Sequence, residues 1–364
     1  MKRALRIRVR GSGLAALTAA KLLVDRGADV IMEAPARRRT RILAVAVDTL
    51  ILAAELFELD PAELAIGPTV SGRRVDWSDD GPGVVPQAAL VCRADALAAV
   101  LARPLRDAGV FRDSVEESES DWTIEASGHP AAAGACGGAR VGYFARIADV
   151  PPESTTSITA TQDGWIFTAP HPDGGLAALV IAPTPMQAAA TPDELACLLG
   201  RAGRKVPADA ICEISRSEPV APRLSASLCG AGRIVVGESA LALDPLRGDG
   251  TGFALRGALL AQAVLAAIEN GYGRTQCMAH YENRLRSAFL AHLRGCSAHY
   301  RAARHAAIWE RDIASMDRAA AQADVGEKPF KFRLEGVSLV PVEASRGAAP
   351  ESCTRVQSDV QLAF

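Results

Sequence analysis

The sequence predicts an α/β fold: a parallel-sheet unit carrying an inserted β-rich unit, with a helical segment at the C-terminus. Three observations predict it. The chain opens with a strand pattern, a glycine-rich turn and an Ala/Leu-rich helix. A second glycine-rich run, residues 236–252, follows a buried strand far along the chain. Between the two lies mostly short β patterning.

The opening segment carries the strongest local signal. Leu5, Ile7 and Val9 alternate with Arg6, Arg8 and Arg10, and Gly11-Ser12-Gly13 follows at once. Residues 14–26 are strong helix formers, Gly27 ends them as a C-cap would, and residues 29–32 read as a second strand ending at Glu33. This is the βαβ context that a dinucleotide fingerprint requires, so the unit is expected to be Rossmann-type. Gly11 permits the tight turn, Gly13 lets a pyrophosphate approach the backbone, and Ala16 takes the third small position. The helix start at Leu14 and Ala15 offers free N–H groups and a positive dipole end to phosphates. Glu33, with Ala34 beside it, stands twenty residues after Gly13, where a carboxylate accepts hydrogen bonds from ribose hydroxyls.

Bulk properties bound the rest. The 364 residues allow two domains, and a hydrophobic fraction of 49% allows a large core. A formal net charge of −2 argues against a nucleic-acid partner. The 8 cysteines form no C-x-x-C pair, so free buried thiols are expected rather than disulfides or a metal site. No leader pattern precedes the first strand. The apolar stretch 42–57 is broken by Asp48 and Glu55 and is too short to span a bilayer. The expectation is a soluble cytoplasmic protein with no membrane partner.

Helices are expected at 48–59, 94–109, 191–202 (Thr191 as N-cap with Pro192 next), 252–270 and 281–321, the last broken near Gly295. Residues 70–91 and 139–183 read as β-rich, with turns at 79–83 and 171–175. Strands are also expected at 121–126 and 232–236. The basic cluster 37–41 reads equally as a solvated loop or as a contact to an adenosine phosphate. The tail after Gly326 has mixed composition, and its last dozen residues are expected to be disordered. The predicted organisation is a discontinuous cofactor domain (1–65, 90–140 and 220–275), a β-rich substrate domain (66–89 and 141–219) and a helical C-terminal segment (276–364).

The second glycine run changes the cofactor expected. Gly237 permits a sharp turn, and Glu238 is an acceptor for ribityl or ribose hydroxyls. Asp244-Pro245 fixes an extended turn. Gly248, Gly250, Thr251 and Gly252 then open a long helix whose N-terminus can face the pyrimidine end of an isoalloxazine. Two such segments in this order point to one extended dinucleotide, FAD more than NAD.

The run resembles the second FAD motif of the flavoprotein monooxygenases of the p-hydroxybenzoate hydroxylase type and the related flavin-dependent halogenases. Gly237-Glu238-Ser239 stands for their G-D-A, while Asp244-Pro245 and Gly248-Asp249-Gly250 match directly. Glu125-Ala126-Ser127-Gly128-His129 is similar to the D-A-T-G-R of the halogenase-like branch. Arg93 is similar to the arginine that leads into the family's FAD-side helix. Gly164-Trp165-Ile166-Phe167-Thr168-Ala169-Pro170 is similar to the halogenase G-W-x-W-x-I-P, with Phe167 and Ala169 substituted. Residues 73–77 bear a looser likeness to the flavoproteins that hydroxylate tryptophan within a partner protein to mature tryptophylquinone cofactors.

The resemblance implies FAD reduced by NAD(P)H or replaced by reduced flavin from a partner reductase, molecular oxygen as co-substrate, and oxygen transfer through a flavin C4a-hydroperoxide. It implies an aromatic or indole-like substrate, free or as a protein-borne tryptophan. Halogenases use a lysine from the N-terminal third, and no lysine stands between Lys21 and Lys205 here; this favours hydroxylation. Trp165 and Phe167, at alternate strand positions, wall an aromatic pocket or simply pack the core. His171 is a candidate general base, though a loop histidine is more often structural. Arg247 is a candidate for a substrate carboxylate or the flavin edge. The segment 300–311 either lines substrate access or covers the core. Two alternatives stay open: a flavin-dependent reductase of the geranylgeranyl-reductase type, and a flavin-binding maturation partner without turnover.

Overall fold

Strand Arg6–Arg10, helix Leu14–Asp25 and strand Asp29–Glu33 form the opening βαβ unit, the two strands running parallel with Arg6 opposite Asp29 and Arg10 opposite Glu33. The computed structural model describes residues 3–33, 41–111, 120–128, 133–151, 153–184, 191–324 and 332–342. The expectations for Ala34, residues 37–40, His129, Cys353 and the chain end lie outside the described residues.

The opening unit sits in a five-stranded sheet. Its order from one edge is Cys229–Gly230, Arg233–Val235, Trp122–Glu125, Arg6–Arg10 and Asp29–Glu33. All neighbours are parallel except the first pair. This is the Rossmann-like core that the βαβ pattern predicts. Helix Gly250–Glu269 packs beside helix Leu14–Asp25. By length and composition it resembles a membrane span, yet it lies mostly buried inside the fold.

The inserted sheet has nine strands and is almost wholly antiparallel; the exception is the parallel pair Thr69–Asp76 and Thr155–Thr161. Its centre runs in the spatial order Val141–Ile147, Leu176–Ala182, Gly164–Pro170 and Thr155–Thr161, strands that alternate two faces as the pleat requires. One face puts Tyr143, Ile166, Ala178 and Val180 against Leu195 and Leu199 of helix Pro192–Arg201. Thr191 and Glu194 cap that helix reciprocally, as its Thr-Pro start predicts. The opposite face turns Phe144, Ile158, Trp165, Phe167 and Leu179 toward the Rossmann unit. Strand Ile42–Ala46, within the stretch the sequence allots to the cofactor domain, joins the edge of this large sheet through Gly83–Arg93.

The C-terminal segment departs from expectation at one point. Helix Arg274–Arg301 runs unbroken through Gly295, and the interruption falls instead at 302–309, before helix Glu310–Ala323. Glycine persists in the helix because a Cβ at Gly295 would come within 2.8 Å of Arg247 Nη1. The segment 300–311 is therefore not one helix, and its aromatic residues Tyr300 and Trp309 are fully buried.

Candidate functional site

Three turns meet where the sheets face each other. Gly11 has φ +134°, and a Cβ there would lie 2.3 Å from the Ala126 carbonyl oxygen, so only glycine fits. The strand end after Glu125 comes back beside it, with Ala126 N–H donating to the Arg10 carbonyl. Gly128 N–H donates to Ser239 Oγ at 2.7 Å. A Cβ on Gly237 (φ +61°) would stand 2.6 Å from the Ala15 methyl. The two glycine runs, remote in sequence, are thus in van der Waals contact.

Beside this junction lies a cavity of about 410 Å³. Its wall includes Gly13, Leu14 and Ala15 at the start of the first helix, with Ala126 and Gly128. It also includes Asp244, Pro245, Leu246 and Gly248 of the Asp-Pro turn and Gly250, Thr251, Phe253 and Ala254 of the long helix. The floor is the apolar sheet face bearing Phe144, Ile158, Trp165, Phe167 and Leu179. At Gly13 and at Gly250 no atom stands within 4 Å of where a Cβ would be, so the cavity meets bare backbone at both helix starts. First-turn N–H groups of a helix lack intrahelical partners and attract anionic groups. Two such starts on the wall of one cavity suit an extended dinucleotide carrying both phosphate and a ring able to hold negative charge.

The predicted residues divide into three groups. Gly13, Leu14, Ala15, Glu238, Asp244, Pro245, Gly248, Gly250, Thr251, Trp165 and Phe167 line the cavity. Gly11, Gly237 and Gly252 shape its backbone without lining it. At Gly252 a Cβ would meet Asp249 Oδ1 at 2.7 Å and Arg256 Nη1 at 2.8 Å, so glycine there leaves room for the Arg256–Asp249 pair.

Four others point elsewhere. Glu33 ends its strand next to Gly11, but its carboxylate is held by Arg8 at 3.2 Å and Arg10 at 3.3 Å. Arg93 pairs with Asp95 and Asp173. His171 sits at the hairpin end, where its Nδ1 accepts from Asp173 N–H at 3.1 Å. Burial and the nearby Arg146 keep His171 below its ordinary pKa, so it is neutral and anchors the turn. Arg247 turns onto the long C-terminal helix at Gly295 rather than into the cavity.

Sequence reasoning missed the residues that stiffen the wall. Asp244 is buried and bonded to Arg140 Nη2 at 2.8 Å, and Arg140 Nη1 reaches Asp312 at 2.7 Å. Tyr300 donates to Asp244 and accepts from Trp165 Nε1 at 3.0 Å. Asp244 also accepts from Leu246 N–H, and its own N–H donates to His292 Nε2, both at 2.8 Å. Burial and Asp244 push the Tyr300 phenol far up, so it stays protonated and donates. The carboxylates around Arg140 hold its guanidinium charged against the cost of burial. Of the basic cluster 37–41, Arg41 lines the cavity, paired with Glu238 and Glu218, and a second arginine on the wall, Arg73, was missed as a site residue.

Comparison with solved structures follows this geometry. The first similar structure is QhpG, a peptidyl tryptophan dihydroxylase essential for tryptophylquinone cofactor biogenesis: TM-score 0.72, 19% identity, over 93% of this chain and 86% of that one. The flavin-dependent halogenase CmlS is similar over 90% of this chain and 74% of its own, at TM-score 0.68 and 14% identity. PqsL, a probable FAD-dependent monooxygenase from Pseudomonas aeruginosa, is similar over 87% and 99%, at TM-score 0.66 and 13% identity. The chain has the fold of the flavin-dependent halogenases and monooxygenases. No protein-family model matches the sequence, and no curated protein matches it.

Proposed function

We propose that this chain is an FAD-dependent monooxygenase that hydroxylates an aromatic or indole-like substrate, with a protein-borne tryptophan as one such substrate. The observation that carries the reading is the continuity of one cavity from bare backbone at Gly13 to bare backbone at Gly250, floored by Trp165 and Phe167. In this reading Gly13, Leu14 and Ala15 hold the pyrophosphate. Glu238 meets the ribityl hydroxyls, and the turn from Asp244 to Thr251 cradles the ring.

When bound, FAD supplies the activation of molecular oxygen and its transfer. The chain's own residues do the rest. The positive end of helix Gly250–Glu269 favours negative charge on the reduced ring. Trp165 and Phe167 orient a flat substrate by stacking and edge contact. The apolar floor excludes water, which strengthens the electrostatic interactions inside the cavity.

Oxygen transfer to carbon is preferred to halide chemistry because, among the described residues, no lysine lines the cavity. Lys21 is buried on the first helix and paired with Asp25 and Glu58. The electrons come from NAD(P)H or from reduced flavin supplied by a partner reductase.

The test is incubation of the FAD-loaded protein with isotopically labelled oxygen, a reductant and an aromatic panel that includes peptidyl tryptophan. One labelled oxygen atom per hydroxyl formed is expected. Turnover that proceeds without oxygen and saturates a double bond would instead assign a reductase. A stable complex with one protein and no redox turnover would assign a maturation partner.

A further inference from the structure

The charges on the cavity wall balance except at one residue. Glu238 is matched by Arg41 at 3.3 Å, and Asp244 by Arg140 at 2.8 Å. Arg73, on strand Thr69–Asp76, lines the same cavity and has no acidic partner among the described residues. Its Nε is buried without a hydrogen-bond partner. Its guanidinium lies 5.8 Å from the centroid of the Phe167 ring and approaches the space beside the Gly248 backbone. Burial lowers its pKa, and no carboxylate acts in the opposite sense. A cation taken partly out of water with no counter-charge is unfavourable unless something else supplies one. The ring end of the proposed flavin already has its positive pole in the start of helix Gly250–Glu269. Arg73 stands where that cradle meets the aromatic floor, between the Gly248 backbone and the Phe167 ring.

We propose that Arg73 is the specificity-determining residue for substrate. It selects an aromatic molecule bearing a negative group, a carboxylate or its equivalent, whose ring stacks on Trp165 and Phe167 while the anion meets the guanidinium. This rests on the aromatic-substrate reading above and narrows it. The planar five-donor fork of arginine suits a carboxylate held by two parallel hydrogen bonds, a geometry that a lysine matches only in charge.

The test uses the FAD-loaded protein and two nearly isosteric probes, indole-3-carboxylate and its neutral amide, titrated by the visible flavin spectrum. The expected result is at least tenfold tighter binding of the carboxylate to the wild type. Arg73→Gln removes that preference while changing affinity for the amide less than twofold. Arg73→Lys, with normal FAD content and thermal unfolding, restores part of the preference. Equal binding of the two probes by the wild type overturns the proposal and leaves the aromatic reading intact. Loss of FAD affinity or a shifted flavin potential in Arg73→Gln, with the carboxylate preference retained, also overturns it, because the charge then serves the cofactor. Binding of neither probe at millimolar concentration, together with no product from the aromatic panel, overturns both readings.

Discussion

Trp165 Nε1 donates to the Tyr300 hydroxyl at 3.0 Å, and Tyr300 passes its own proton toward Asp244 at 3.2 Å. One phenol therefore ties the aromatic floor of the cavity to its Asp-Pro turn. Tyr300→Phe removes the acceptor of a buried indole N–H and a donor to a buried carboxylate. Leaving a buried polar group unpaired costs about 1–3 kcal/mol. A loss of unfolding free energy in that range is expected by urea denaturation, together with a shift of the tryptophan emission maximum. A loss well below 1 kcal/mol with unchanged emission would show that the phenol does not join the two walls.

Arg140 is wholly buried between Asp244 and Asp312. Replacing it with Leu would leave two carboxylates in the interior with no cation between them. Breaking a buried ion pair on one side costs about 3–5 kcal/mol. Arg140→Leu is expected to lower stability by at least that much, measured by chemical denaturation. Asp312→Asn is expected to cost less, because the amide still accepts from Arg140 Nη1 and Ala139 N–H. If the two variants were equally stable, the ion pairs would not be what holds Asp244 in place.

What could be read in advance follows from how local each constraint is. Gly11, Gly237 and Gly248 were legible because a positive φ or a close backbone approach dictates residue type at one position. Trp165 and Phe167 were legible because a period of two places them on one face. The network behind the cavity was not. Arg140 and Asp312 meet across 172 residues of sequence, and no pattern near either one announces the other. Arg247 was misleading for a local reason. Its nearness to the glycine run suggested the cavity, but the turn between the Asp244 cap and left-handed Gly248 sends its side chain back to Gly295. The cavity's unmatched cation came instead from Arg73, in a stretch whose loose family likeness gave that side chain no role.

Gly11 and Gly13 differ by two positions and should fail differently. At Gly11 an added methyl would press on the Ala126 carbonyl at 2.3 Å with the backbone at φ +134°. Gly11→Ala is therefore expected to destabilise the apoprotein. At Gly13 the backbone is extended and an added methyl meets no protein atom within 4 Å. Gly13→Ala is expected to fold normally but to bind FAD at least tenfold more weakly, since the methyl enters the space assigned to pyrophosphate. Thermal unfolding of the apoproteins and FAD titration separate the two. A Gly13→Ala protein with wild-type FAD affinity would remove the pyrophosphate from that turn.

His292 gives the site a dependence on pH. Its Nε2 accepts from Asp244 N–H at 2.8 Å, which requires the neutral ring. Burial lowers its pKa from 6.5 to about 4; Asp244 and Asp249 oppose the shift, and Arg247 and Arg140 add to it. The unfolded chain therefore takes up a proton at higher pH than the folded one. The stability that His292 contributes is fully present above about pH 6.5 and is lost as pH falls toward about 4. A shift of that size corresponds to a loss on the order of 3 kcal/mol across the window. His292→Gln keeps an acceptor for Asp244 N–H and has no proton to gain. The variant should match the wild type near pH 7.5 to within about 1 kcal/mol. Its urea midpoint should then fall less steeply between pH 6.5 and pH 4.5 than that of the wild type. Parallel pH profiles for the two proteins would mean that folding leaves the pKa of His292 unshifted, and that its bond to Asp244 N–H does not hold the ring neutral.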